Sequence, residues 1–133
     1  MKTLKTPRLA LVCAAAFLVA LAGCSSTPEA KDAKTTATFP HPIAKVQQAA
    51  VDALTVTGFD IKKQEPTYVE GTRPRKMGLF VGSGGETVGV WLTALSPEQT
   101  EVKVDTAKTF VGGAGQKSWD KQVLEEMTKS LAP

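Results

Sequence analysis

Glu86-Thr87-Val88-Gly89-Val90-Trp91-Leu92-Thr93-Ala94-Leu95 is the stretch whose reading decides the fold. Val88, Val90, Leu92 and Ala94 share one parity, and Trp91 takes the other. A period of two over this length describes a half-buried strand. Ser96-Pro97-Glu98 then turns the chain, and residues 100–109 alternate again. Val102 and Val104 point one way, and Glu101, Lys103 and Asp105 the other. One apolar face and one wet face are what an antiparallel sheet accommodates.

Working outward, Phe59-Asp60-Ile61-Lys62 predicts a further strand and Glu65-Pro66 a turn. Residues 68–73 predict another strand, at or near a sheet edge because Gly71 and Pro74 limit it. Residues 73–85 read as a long loop. Helical spacing lies outside these strands. Ile43, Val46, Ala50 and Leu54 recur in phase, with Ala49 and Ala53 beside them. Pro42 suits the first helical position, and Gly58 suits the C-terminal cap. At the far end, Trp119, Val123, Met127 and Leu131 recur at four-residue steps with Leu124 alongside. Ser118 is the expected N-cap and Asp120 a favourable first-turn acid. The order α-β-β-β-β-α predicts an α+β two-layer sandwich. Its four-stranded antiparallel meander carries both helices on one face.

The flanking residues set the domain limits. Lys2, Lys5 and Arg8 precede an uncharged apolar run of about 14 residues, short of the roughly 20 that span a bilayer. A basic leader, a short apolar run and small residues describe a secretory signal peptide. Residues 25–38 hold Ser, Thr, Ala, Pro, Glu, Lys and Asp without a large apolar side chain. Such composition does not offset its ordering entropy and reads as a flexible tether. As a coil it would let the domain stand roughly 20 Å off a bilayer. The expected organisation is a leader over 1–23, a tether over 24–38 and one domain over 39–133. About 95 residues suffice for one core.

The whole chain carries 16 basic and 13 acidic residues, and removing the three leader bases leaves 13 of each. Nucleic-acid binding needs a basic surplus, so it is not expected. Cys13 falls in the leader, which leaves Cys24 as the one cysteine beyond it, so no disulfide within the domain is expected.

Leu21-Ala22-Gly23-Cys24 resembles the lipobox of bacterial lipoproteins. The resemblance implies a diacylglyceryl thioether on Cys24, cleavage before it, and acylation, commonly with palmitate, of the new terminus. In double-membraned bacteria, lipoproteins with aspartate after the cysteine stay at the inner membrane. Ser25 in that place implies the outer membrane, facing the periplasm. The element order over residues 43–131, with Gly58-Phe59 at the first strand, resembles the helix-grip-like C-terminal domains of BamC. That protein is a lipoprotein of the outer-membrane barrel assembly machine. Several families of small uncharacterised envelope lipoproteins are similar. No site residue follows from this second resemblance.

Motifs for chemistry are sparse. His41 is the lone histidine, between two prolines. Ser83 and Ser118 have no recognisable base, and no Gly-x-Ser-x-Gly elbow occurs. Gly82-Ser83-Gly84-Gly85 lacks the Gly-Lys-Ser/Thr ending of a phosphate loop and precedes a strand. An enzyme is not expected, nor a cofactor or metal. A repeat stands out instead. Phe80-Val81-Gly82-Ser83-Gly84-Gly85 and Phe110-Val111-Gly112-Gly113-Ala114-Gly115 share Phe-Val-Gly-x-x-Gly. Meander parity puts both loops on one rim near Gly58. Arg73, Arg75 and Lys76 enter the first loop and Lys117 leaves the second. Phe80 and Phe110 either plug the end of the core or form, with Val81 and Val111, an apolar rim with a basic fringe. Such a rim suits a partner or a lipid head group. Trp91 either anchors an interface or packs on Tyr68 or a lysine stem.

These readings predict a membrane-anchored envelope lipoprotein. It would act as a structural or assembly module that binds another envelope protein. The alternative is a binder or sensor of a small apolar ligand or lipid in the groove between helices and sheet.

Overall fold

A computed structural model describes residues 27–74, 76–77, 82–108 and 116–133. Among the described residues there are seven strands and two helices. They are β1 (Thr35–Phe39), α1 (Ile43–Val56), β2 (Asp60–Glu65), β3 (Tyr68–Thr72), β4 (Lys76–Met77), β5 (Gly82–Ser83), β6 (Thr87–Ser96), β7 (Gln99–Ala107) and α2 (Asp120–Leu131). The main sheet is antiparallel with the order β1-β7-β6-β3-β2. Both helices pack on one face of it, and on each other. The α+β class stands, with five strands in place of four.

The fifth strand comes from the segment read as tether. Thr35 to Phe39 pair with Val104 to Thr100, which covers the open edge of β7. Burial alternates along it, ending in Phe39 at 7% exposure. Composition alone missed this, because backbone pairing to a waiting edge does not require large side chains.

The β6–β7 ladder is the longest, running from Thr87↔Ala107 to Ser96↔Gln99. Val88, Val90, Leu92, Val102 and Val104 all turn inward with at most 2% exposure. Val46, Ala49, Ala50, Ala53 and Leu54 of α1 meet them, with Val123, Leu124, Met127 and Leu131 of α2. Ala94 departs from the expected inward face and is exposed, because β6 runs past the helices and its register shifts between Ala94 and Ser96.

Residue-level differences have local causes. Helix α1 starts at Ile43, so Pro42 is its N-cap, one position earlier than expected. Its end is as read: Gly58 takes φ +86°, Gly58 N–H donates to Thr55 O and Phe59 N–H to Leu54 O. That pair of bonds is a Schellman closure, in which glycine tolerates the left-handed turn. Strand β3 is near an edge rather than at it, one strand in from β2 and paired on both sides with β2 and β6. Gly71 marks close packing instead, since a Cβ there would lie 2.9 Å from Phe59 Cβ. The loop over 73–85 contains the β4–β5 ribbon, which extends the β3–β6 hairpin through Arg73 N–H to Glu86 O and Gly85 N–H to Arg73 O. Ser118 does not cap α2. Trp119 holds the N-cap position, and its N–H donates to Thr106 Oγ1 at 2.9 Å. The Thr106 hydroxyl in turn donates to Asp120 Oδ1, which holds the first-turn carboxylate near the helix N-terminus.

Leu54 is fully buried, whereas Val56, two residues later, is 73% exposed. Leu54→Ala should cost about 2–5 kcal/mol and Val56→Ala under about 0.5 kcal/mol. Chemical denaturation midpoints of the two variants check this, and similar midpoints would contradict the packing described.

Candidate functional site

The sheet has two distinct ends. One carries the start of β6, the ends of β3 and β7, the C-terminus of α1 and the N-terminus of α2. Both glycine loops leave from this end, here called the rim. Their described flanks meet, because Gln116 Nε2 donates to Gly84 O at 3.0 Å. Gly84 and Gly85 take φ +95° and +85°. Phe80, Val81, Arg75, Phe110 and Val111 lie outside the described residues, and Lys76 is described by its backbone alone. Cys24 also lies outside them.

Trp119 is the centre of what is described at the rim. It is 4% exposed and meets Phe59 edge to face at 5.4 Å between centroids, 85° between planes. The Arg73 guanidinium carbon sits 4.3 Å from its ring centroid and Lys117 Nζ 3.8 Å. Strand parity explains Arg73, which continues the inward phase of Val69 and Gly71 past the last core position. Two cations on one indole contribute about 0.5–2 kcal/mol each, depending on desolvation. Neither forms an ion pair among the described residues; Lys117 Nζ instead donates to Gln122 Oε1 at 3.2 Å. Trp119 Nε1 and Glu86 Oε2 are buried with no hydrogen-bond partner among the described residues. Each such atom costs about 1–3 kcal/mol. The sequence spacing offered Trp119 only as a core residue; its pairing with Arg73 needs the fold.

The face of the sheet away from the helices is a second feature. Trp91 stacks on Tyr68 across the β3–β6 pair, with centroids 5.2 Å apart and planes tilted by 37°. This is the packing alternative expected for Trp91, and the ring is half-buried. Tyr68 OH donates to Glu70 Oε2 at 2.6 Å, and Lys63 Nζ lies 3.7 Å from the same oxygen. Burial, then the hydrogen bond to Glu70, pushes the Tyr68 phenol well above its ordinary range.

Residues 27–34, read as free tether, lie across this face as a strap. Ala30 lines a cleft of about 470 Å³ with Thr67, Trp91, Thr93 and Lys103. Glu29 N–H donates to Asp105 Oδ2 at 3.3 Å. Pro28 is buried over Gly89. A Cβ on residue 89 would lie 2.7 Å from Trp91 Cη2 and 2.9 Å from Pro28 Cβ. Gly89 is therefore a notch that the proline and the indole fill together. The exposed Lys31–Glu29 pair, at 2.9 Å, adds little.

His41 is structural in its contacts. Its Nε2 lies 3.1 Å from Leu131 O, and its carbonyl accepts from Thr100 Oγ1 at 2.9 Å. It joins α2's last turn to the β1–α1 connection. Beside it, a cleft of about 540 Å³ is lined by Phe39, Lys45 and Leu131 among others. Among the described residues no cluster of three or more His, Cys, Asp or Glu side chains has a metal-binding arrangement. No helix among them is long and apolar enough to cross a membrane.

Gly89→Val should eject Pro28 from the notch, read as new protease cleavage within 27–34 while the core stays folded. Strap residues protected as in wild type would contradict the notch. Asp105 gives a pH test. Partial burial raises its carboxyl pKa first, and Asp120 and Asp32 add to this, while hydrogen bonds from the Glu29 and Thr106 backbone oppose it. A raised folded-state pKa means that the folded state binds the proton more tightly, so ionised Asp105 opposes folding. That cost is absent below the unfolded pKa and complete above the folded one. Asp105→Asn should therefore be at least as stable as wild type at pH 7, and its advantage should vanish on acidification through the carboxylate range. Melting curves of both chains against pH measure it.

A scan against protein-family models matches none, and a search of curated proteins finds no match either.

Proposed function

We propose that the chain is a membrane-anchored envelope lipoprotein whose domain acts by surface contact, as a structural or assembly module that binds another envelope protein. The observation that supports this over the ligand-groove alternative is the filled interface between helices and sheet. Val46, Ala50 and Leu54 meet Val69, Val88, Val90, Val102 and Val104, and none of these side chains is exposed. An apolar ligand among these residues would have to displace several close-packed side chains, which dense packing resists; the clefts of about 510 Å³ by Thr35 and Leu124 and about 540 Å³ by Phe39 and Leu131 lie outside this set. In this reading the anchor is acylated Cys24, held by more than one acyl chain because a single chain binds reversibly. The locale is the outer membrane, facing the periplasm. The rim, with Arg73 and Lys117 described and Arg75, Lys76, Phe80, Val81, Phe110 and Val111 in sequence beside it, is a contact surface for an anionic group. The rest of the surface is left for the protein partner. No catalytic role is part of the proposal.

Affinity capture of the mature protein from gently solubilised membranes should recover a protein partner in fixed ratio, and Cys24→Ser should lose it by blocking maturation. Native mass spectrometry of the captured protein should show acyl chains on Cys24 and no other retained small molecule. A stoichiometric apolar ligand with no protein partner would overturn the assignment in favour of the alternative.

A further inference from the structure

We propose that the strap fixes the rim as the membrane-proximal end of the domain, and that anionic lipid head groups are the ligand of Arg73 and Lys117. The inference rests on the lipid anchor at Cys24 proposed above, and it adds which way the domain faces and what the rim meets.

The strap has a direction. Ala30 lies by Trp91, Thr93 and Lys103, Glu29 by Asp105, and Pro28 over Gly89. On β6 the order 93, 91, 89 leads toward Thr87, and on β7 the order 103, 105 leads toward Ala107. Followed toward its N-terminal side, the strap therefore runs to the rim. Four residue-to-residue steps lead from Pro28 to Cys24. At about 3.5 Å each they span at most about 14 Å. Gly89 is two residues from the rim end of β6, about 7 Å, and seven from Ser96 at the other end, about 23 Å. The rim is thus within reach of the acylated residue and the opposite end is not. A free tether from residue 24 to 38 would impose no such choice, so the seated proline creates it.

What the rim offers suits a bilayer surface. Arg73 and Lys117 flank Trp119 without an ion pair among the described residues. Val56, 73% exposed, ends α1 at this same end, and a Cβ on Gly58 would lie 3.9 Å from Arg73 Nε. Lys108 follows β7 there too. Among the described residues the acids at or near this end are Asp60, which is exposed, Asp105, which is half-buried and accepts from Glu29 N–H, Asp120, whose carboxylate accepts from Thr106, and Glu86, whose carboxyl is buried. Exposed Lys117 and half-buried Arg73, near the exposed Val56, are the combination that anionic interfaces attract.

The test uses the mature lipidated protein in phosphatidylcholine vesicles, with or without phosphatidylglycerol. Single thiols are introduced as Val56→Cys at the rim and Leu95→Cys, 53% exposed in wild type, at the far end. Each is labelled with an environment-sensitive dye and quenched by head-group nitroxide lipid. The label at 56 should be quenched several-fold more than the label at 95, and phosphatidylglycerol should deepen the quenching. Lys117→Gln, at an exposed position, should weaken that deepening, and Gly89→Val should bring the two labels closer to equal. Equal quenching in wild type, or stronger quenching at 95, overturns the orientation. Quenching at 56 that ignores phosphatidylglycerol overturns the head-group assignment, as does contact that needs an added membrane protein. A mature chain whose mass lacks acyl groups overturns the anchor reading itself, and the two failures are thereby distinguished.

Discussion

The antiparallel pairing of β6 with β7 is the interaction on which the rest of the molecule depends. Its inward valines form the floor of the core, and each strand then holds a neighbour: β3 on β6, β1 on β7. The helices depend on it as well. Thr106 of β7 accepts the Trp119 N–H at the start of α2, and Thr100 at the other end of β7 donates to His41 O just before α1. One strand thus sets the start of both helices through two threonine hydroxyls. A change that broke the ladder would release the helix boundaries as well as the core.

The two faces of the sheet solve different problems. The inner face is valine against alanine and leucine, a closed packing with little tolerance for change in volume. The outer face holds Tyr68, Glu70, Trp91, Lys103 and Asp105, and it is only partly covered. There a glycine does what a large side chain does inside, because Gly89 makes room for a residue 61 positions away in sequence. The polar network around Tyr68 and Glu70 keeps the buried Glu70 carboxylate supplied with a hydroxyl donor and a nearby ammonium.

How much of the site was legible follows from which residues act through their neighbours. Trp91 was placed on the wet face by alternation alone, and the stack on Tyr68 was one of two outcomes that alternation permitted. Trp119 read as one more apolar residue at a four-residue step, which it is; that it carries two cations depends on Arg73 arriving from β3. Most of the glycine repeat lies outside the described residues; of its flanks, Gln116 donates to Gly84 O. The pair Ser118 and Asp120 was half right. Asp120 does serve the helix start, but the donor to its carboxylate is a hydroxyl from β7 that no local motif announces.

By itself the sequence determined the α+β class, the inward parity of β6 as far as Leu92 and of β7, the apolar faces of both helices and the glycine cap at Gly58. These are local properties: a period of 2 or 3.6, or one backbone angle that glycine permits. Only the tertiary structure decided that residues 35–39 are a strand, that β3 is paired on both sides, and that Pro28 fills the notch at Gly89. A short run of threonine and alanine has no signal of its own, and it becomes a strand because the edge of β7 presents unpaired backbone groups. A glycine in a strand signals an edge, a bulge or a close approach, and which of these applies depends on what the fold brings against it.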